Sequence, residues 1–147
     1  MMRIVLLEDD YLQSSYIESA LKRDLADCEI KVIKTESEFR EKLDELIAWK
    51  ADALILDVMV RWADPSSEMP EPPEEVKTNG YYRAGIRCIK LLQDQNSTVP
   101  ILLYSVLEKA DVNWGKDLSE RNITHLSKQT DIQPLISWLK DSIDPLK

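Results

Sequence analysis

Five short apolar runs, each followed by a stretch of helical period, limit what this chain can fold into. The runs cover residues 3–7, 29–34, 53–57, 99–104 and 124–127. After the first, Leu12, Ile17, Ala20, Leu21 and Leu25 fall close to one helix face, and Asp10 stands where a short acid accepts from the free amides of the first turn. Phe39, Leu43, Leu46 and Ile47 predict a second helix capped by Thr35 or Ser37, and Ile86, Ile89 and Leu92 predict a third. Ile132, Leu135, Ile136, Leu139 and Ile143 share a face in the last helix, with Asp131 as its cap. Residues 108–120 carry only a poor helical pattern, interrupted by Gly115. Strands separated by helices pair in parallel, because a parallel neighbour is reached only through a crossover. The expected class is therefore α/β, a doubly wound parallel sheet of five strands with helices on both faces. By analogy with other sheets of this style the order is the flavodoxin-like 2-1-3-4-5. Strands one and three are then neighbours, and their carboxyl ends form the switch point where ligands bind.

Residues 60–80 break the rhythm. Pro65, Pro70, Pro72 and Pro73 lie there among Glu68, Glu71, Glu74 and Glu75, with little apolar content beyond Trp62, Met69 and Val76. A loop this long is uncommon in a compact domain and is usually functional or disordered, so the segment reads as an insertion after strand three. The length of 147 residues suits one domain over residues 1–147. A net charge of −8, with no run rich in Lys or Arg, argues against direct binding of nucleic acid; any control of transcription would pass through a partner. No apolar run approaches the ~20 residues of a membrane span, and the first stops at Glu8, Asp9 and Asp10, too early for a signal peptide. The expected location is the cytoplasm, without membrane contact. Cys28 and Cys88 have no clustered histidines around them and predict neither a metal site nor a disulfide.

Polar residues stand at four strand ends. Strand one ends in Glu8-Asp9, strand three in Asp57, strand four in Ser105 and strand five in Lys128. Singly, each has an ordinary reading as a helix cap, a turn residue or a solvated lysine. Gathered at one edge, three carboxylates repel one another and take up protons unless a cation joins them. Magnesium suits such a place, since it takes a few carboxylate oxygens together with water and phosphate. A carboxylate is also a nucleophile toward a phosphoryl group, and a cation and a lysine would neutralise the transferring oxygens.

The segments Ile4-Val5-Leu6-Leu7-Glu8-Asp9-Asp10, Leu54-Ile55-Leu56-Asp57-Val58-Met59, Val99-Pro100-Ile101-Leu102-Leu103-Tyr104-Ser105 and Leu126-Ser127-Lys128 resemble the receiver domains of two-component response regulators. The resemblance covers nearly the whole chain outside residues 60–80. It implies a signalling switch rather than an enzyme, with Asp57 as phosphoacceptor and a histidine kinase or phosphotransfer protein as donor. It further implies Mg2+ held by Asp9 and Asp57 directly, by Glu8 through water and by the backbone carbonyl of Met59. Lys128 would pair with the phosphoryl group. Ser105 would be the switch hydroxyl, with the amide of Val106 beside it, and His125 takes the place of an aromatic switch residue. Met59 and Leu107 would flank the path of the attacking water, and neither can orient it by hydrogen bonds; the phosphorylated state is expected to be long-lived. Gly85 aligns with the glycine that opens the family's third helix.

The sequence also departs from that pattern. Gln129 follows Lys128 where the family has a proline after a cis peptide, and a cis bond before a non-proline residue costs roughly 3–4 kcal/mol; a trans, differently shaped loop is expected. Arg61-Trp62 follows Val60 where a proline is usual. Trp62, Tyr81 and Tyr82 are expected to pin the insertion to the body, which would shield the site and limit which kinases dock. Two functions stay open. In the first the chain is a receiver standing alone, a monomer or weak homodimer that presents a changed surface around strands four and five to an unknown downstream protein. In the second it is a pseudo-receiver, an interaction module that does not cycle phosphate. An aspartate-nucleophile hydrolase of the haloacid dehalogenase type would need an aspartate where Met59 stands. A flavodoxin would need a glycine- and hydroxyl-rich loop after strand one.

Overall fold

The computed structural model describes residues 1–25, 27–65, 68–79, 83–106, 122–128 and 131–143, without the side chains of residues 79 and 143. Its strands are β1 (Met2–Leu7), β2 (Cys28–Ile33), β3 (Ala53–Leu56), β4 (Ile101–Ser105) and β5 (Ile123–Ser127). They form one sheet in the order β2-β1-β3-β4-β5, and every pairing is parallel. The helices are α1 (Tyr11–Asp24), α2 (Glu36–Glu41), α3 (Leu43–Trp49), α4 (Glu74–Asn79), α5 (Ala84–Asp94) and α6 (Gln133–Ile143). The class expected from the alternating runs and the strand order expected by analogy are both present.

Alternation along the strands feeds two cores. Val5, Leu7, Leu54, Leu56, Ile101 and Leu103 pack with Phe39 of α2, Leu46 of α3 and Ile86, Ile89 and Leu92 of α5. Ile4, Leu6, Ile55, Leu102 and Tyr104 pack on the other face with Ile17, Ala20 and Leu21 of α1 and with Leu135, Ile136 and Leu139 of α6. Each fully buried aliphatic side chain contributes roughly 1.5–3 kcal/mol relative to exposure, so both faces anchor the sheet. The central strand β3 is buried at all four positions, as a parallel strand covered on both sides must be.

The caps follow the sequence. Asp10 Oδ1 accepts from the amides of Leu12 and Gln13, Thr35 Oγ1 from that of Glu38, and Asp131 Oδ1 from that of Gln133. Thr35 rather than Ser37 therefore caps α2. Four expectations change. Leu12 is 77% exposed; it lies nine residues before Leu21, half a turn out of phase with the buried face. Ile47 likewise sits at the exposed margin of its helix. The second helix is two, separated at Lys42, and nothing in the local sequence accounts for the break. The segment after β3 is not wholly loop, since α4 forms where the Pro73 carbonyl accepts from Val76 and Lys77 and where Glu74 and Glu75 favour the positive end of the helix dipole.

Cys28 and Cys88 are free thiols. No helix among the described residues is long and apolar enough to cross a membrane. The weak helical pattern at 108–120, Tyr81, Tyr82, Leu107, Gln129 and the Ile143 side chain lie outside the described residues.

Candidate functional site

Register brings the polar strand ends to one edge. Leu7 pairs with Leu56, Leu56 with Leu103, and Ser105 with Ser127, so the residues just beyond them emerge together. The Glu8 amide donates to the Ile33 carbonyl, that of Asp57 to the Leu7 carbonyl, and that of Lys128 to the Ser105 carbonyl at 2.7 Å. The main chain thus fixes where three charged side chains begin.

Those three meet. Lys128 Nζ lies 2.9 Å from Asp57 Oδ2 and also donates to Glu8 Oε1. Asp57 Oδ1 accepts from the Met59 amide at 3.3 Å, and Glu8 Oε2 from the Asp10 amide at 3.2 Å. Glu8, Asp57 and Ser105 are all buried. Burial first, and then the charge of Asp57, pushes the Glu8 carboxyl up to about 7, against the pull of Lys128 and the Asp10 amide. Burial opposes the charge on Lys128, yet Asp57 and Glu8 outweigh it and raise its pKa above the ordinary value. One ammonium therefore serves two buried carboxylates.

Asp9 is held elsewhere. Its Oδ2 accepts from the Arg61 amide at 3.0 Å, with Arg61 Nε at 3.6 Å. The expected set of Glu8, Asp9 and Asp57 is thus not gathered as a metal cluster: among the described residues no three His, Cys, Asp or Glu side chains stand ready to hold an ion. The physical reason is that two of the chain's own cations take these carboxylates, Lys128 on one side and Arg61 on the other. The donor set still suits a hard divalent cation by its chemistry, since carboxylate and carbonyl oxygens are what such an ion takes, and Asp57 and Glu8 set two carboxylates against the single Lys128 ammonium.

The remaining expected residues lie on β4 and β5. Ser105 ends β4 and is buried, Val106 follows it and is 65% exposed, and His125 sits in β5 opposite Leu103, two residues before the strand ends. Gly85 opens α5 against the site. Its amide donates to the Val58 carbonyl at 2.9 Å, and a Cβ there would come within 2.3 Å of the Asp57 carbonyl oxygen. Only a residue without a side chain allows that approach.

A second charged cluster, not among the expected features, joins α2 to α4 and α5. Glu36, fully buried, accepts from Arg87 Nη2 at 2.6 Å and from Arg40 Nη2 at 3.0 Å, and Arg40 reaches Glu75 of α4 at 2.6 Å. Glu36 and Arg40 have helical i,i+4 spacing, a signal for their pairing; Arg87 lies 51 residues from Glu36 and carried none. The segment after β3 is fastened to this cluster. The Arg40 guanidinium lies 5.7 Å from the centre of the Trp62 ring, whose Nε1 donates to the Pro70 carbonyl at 2.7 Å. The carbonyls of Arg61 and Trp62 accept from the amides of Glu36 and Ser37.

No protein-family model and no curated protein matches this sequence. Solved structures do match. The receiver domain of the Francisella response regulator 1452 covers 100% of both chains with a TM-score of 0.69 at 17% identity. A response regulator receiver domain protein from Bacillus halodurans aligns over 96% of each chain with a TM-score of 0.64 at 18% identity. Response regulator protein TrrA from Thermotoga maritima, solved in complex with Mg2+–BeF, aligns over 97% of this chain and 99% of its own with a TM-score of 0.65 at 17% identity. TrrA is also known in complex with the histidine kinase ThkA. The chain has the fold of response regulator receiver domains.

Proposed function

We propose that the chain, over residues 1–147, is a phosphoacceptor receiver in which Asp57 takes a phosphoryl group from a histidine kinase or phosphotransfer protein. The observation that carries this reading is the Lys128 ammonium shared between Asp57 and Glu8 at the carboxyl edge of the sheet. An oxygen of Asp57 attacks phosphorus as the bond to the donor's leaving group breaks, and that group departs with the electron pair. Lys128 then meets the charge on the new phosphoryl oxygens. Asp9 and Asp57, the Met59 carbonyl and, through water, Glu8 would hold Mg2+, which supplies further charge neutralisation when bound. Ser105 and His125 would act as the switch pair, turning toward or away from the modified site and altering the surface around β4 and β5 for a separate downstream protein. The ThkA–TrrA complex supports a kinase partner for this fold. The reading places the chain in the cytoplasm as a monomer or weak homodimer, without direct contact to nucleic acid or membrane.

Fluoroberyllate, a phosphoryl mimic, tests the site by calorimetry. Binding that needs both Mg2+ and Asp57 is expected; binding that persists in Asp57→Asn, or none at all, would overturn the reading. A second reading, a pseudo-receiver that recognises partners without cycling phosphate, is favoured by one observation, the attachment of Asp9 to Arg61. It predicts no fluoroberyllate binding under any cation.

A further inference from the structure

Arg61 has no part in the site as proposed, yet it touches it. Its amide and its Nε both approach Asp9 Oδ2, at 3.0 and 3.6 Å, and its Nη1 lies 3.5 Å from Asp64 Oδ1. The main chain here is anchored, since the Arg61 carbonyl accepts from the Glu36 amide at 3.0 Å and the Trp62 carbonyl from the Ser37 amide at 2.8 Å. The side chain is about half exposed at 48% and stands between two carboxylates. The guanidinium touches both carboxylates at once, so it can leave Asp9 while keeping Asp64.

We infer that Arg61 is the internal competitor for a divalent cation at Asp9, and that it sets how tightly the cation is held. This rests on the reading of Asp9 as a metal ligand. A guanidinium and a divalent ion cannot share Oδ2 without repulsion, so a cation must displace the Nε contact before it can use that oxygen. Asp64 already pairs with Nη1 and keeps the displaced guanidinium, so the exchange leaves no charge stranded. Because the Arg61–Asp9 pair is partly exposed, its strength falls in the range of surface pairs, and its loss should tighten cation binding roughly two- to five-fold. Salt should narrow the difference, as it screens exposed charges.

The test is Mn2+ binding to the full chain, followed by electron paramagnetic resonance and repeated with Mg2+ by calorimetry. The proteins are wild type, Arg61→Ala, Arg61→Gln, Arg61→Lys and Asp9→Ala, each checked for folding by circular dichroism. Both neutral variants are expected to bind more tightly than wild type, Arg61→Lys to return close to wild type, and high salt to shrink the gap. If Asp9→Ala weakens binding but the neutral variants bind no better than wild type, Arg61 does not compete and the inference falls while the metal site stands. If Asp9→Ala binds as well as wild type, or wild type binds no cation, the metal reading falls and takes this inference with it.

Discussion

Glu8 and Asp57 share one ammonium in a place where neither can reach bulk water freely, and the consequence shows in pH dependence. Glu8 titrates near 4.5 when unfolded and at about 7 in the folded chain. Between those values the folded chain holds a proton that the unfolded chain has lost, so stability from Glu8 is full below 4.5 and is lost as pH rises to about 7. Glu8→Gln carries no charge and escapes this loss. In chelator, the unfolding free energy of Glu8→Gln relative to wild type should move in the variant's favour by on the order of 2 kcal/mol between acid and mildly alkaline pH. Parallel pH–stability curves from urea titrations would contradict it. The acids and the lysine of this site were legible because each ends a strand. The capture of Asp9 was not, because Arg61 follows β3 as an ordinary charged residue and only the fold brings it across to the end of β1.

At the scale of elements, the site depends on how α5 meets the end of β3 and how α2 is tied to α5. Gly85→Ala would drive a Cβ into the Asp57 carbonyl and the Val58 Cα, at 2.3 and 2.9 Å. Relief requires α5 or the Asp57 main chain to move, at a cost of about 1–3 kcal/mol. Denaturant unfolding should register that loss, together with weaker fluoroberyllate binding; an alanine variant as stable as wild type would mean the approach is looser than it stands. The buried Glu36–Arg87 pair joins α2 to α5, with side chains 0% and 8% exposed. Removing Arg87 leaves Glu36 with Arg40 alone, and Arg87→Met is expected to cost roughly 3–5 kcal/mol, whereas Glu36→Leu with Arg87→Met should cost less than the single change. Simple additivity in the same urea experiment would show that the pair is not coupled. Periodicity in the sequence located these helices, but it could not see the break at Lys42 or the short α4. A break of one residue leaves Phe39 and Leu46 buried, and six residues are too few for a clear period.

The whole molecule rests on an alternation that any reader of the sequence can follow: five apolar runs, helical stretches between them, and charge at the carboxyl ends. Parallel pairing followed from that pattern, while the order β2-β1-β3-β4-β5 came from analogy and is what the structure has. The order matters for function because it sets β1 beside β3 and β5 beside β4, so that Glu8, Asp57 and Lys128 converge although they are as far apart as 120 positions in sequence. The segment after β3 adds what the alternation does not contain, a charged strap fastened through Trp62, Arg40 and Glu75 with Arg61 over Asp9. Asp57, at the meeting point of these strands, is the proposed acceptor of a phosphoryl group. Intact-mass spectrometry after incubation with acetyl phosphate and Mg2+ tests this role most directly. Wild type should gain the mass of one phosphoryl group, only with the cation present, and Asp57→Asn should gain none; equal gain in the two proteins, or none in wild type, would contradict the account.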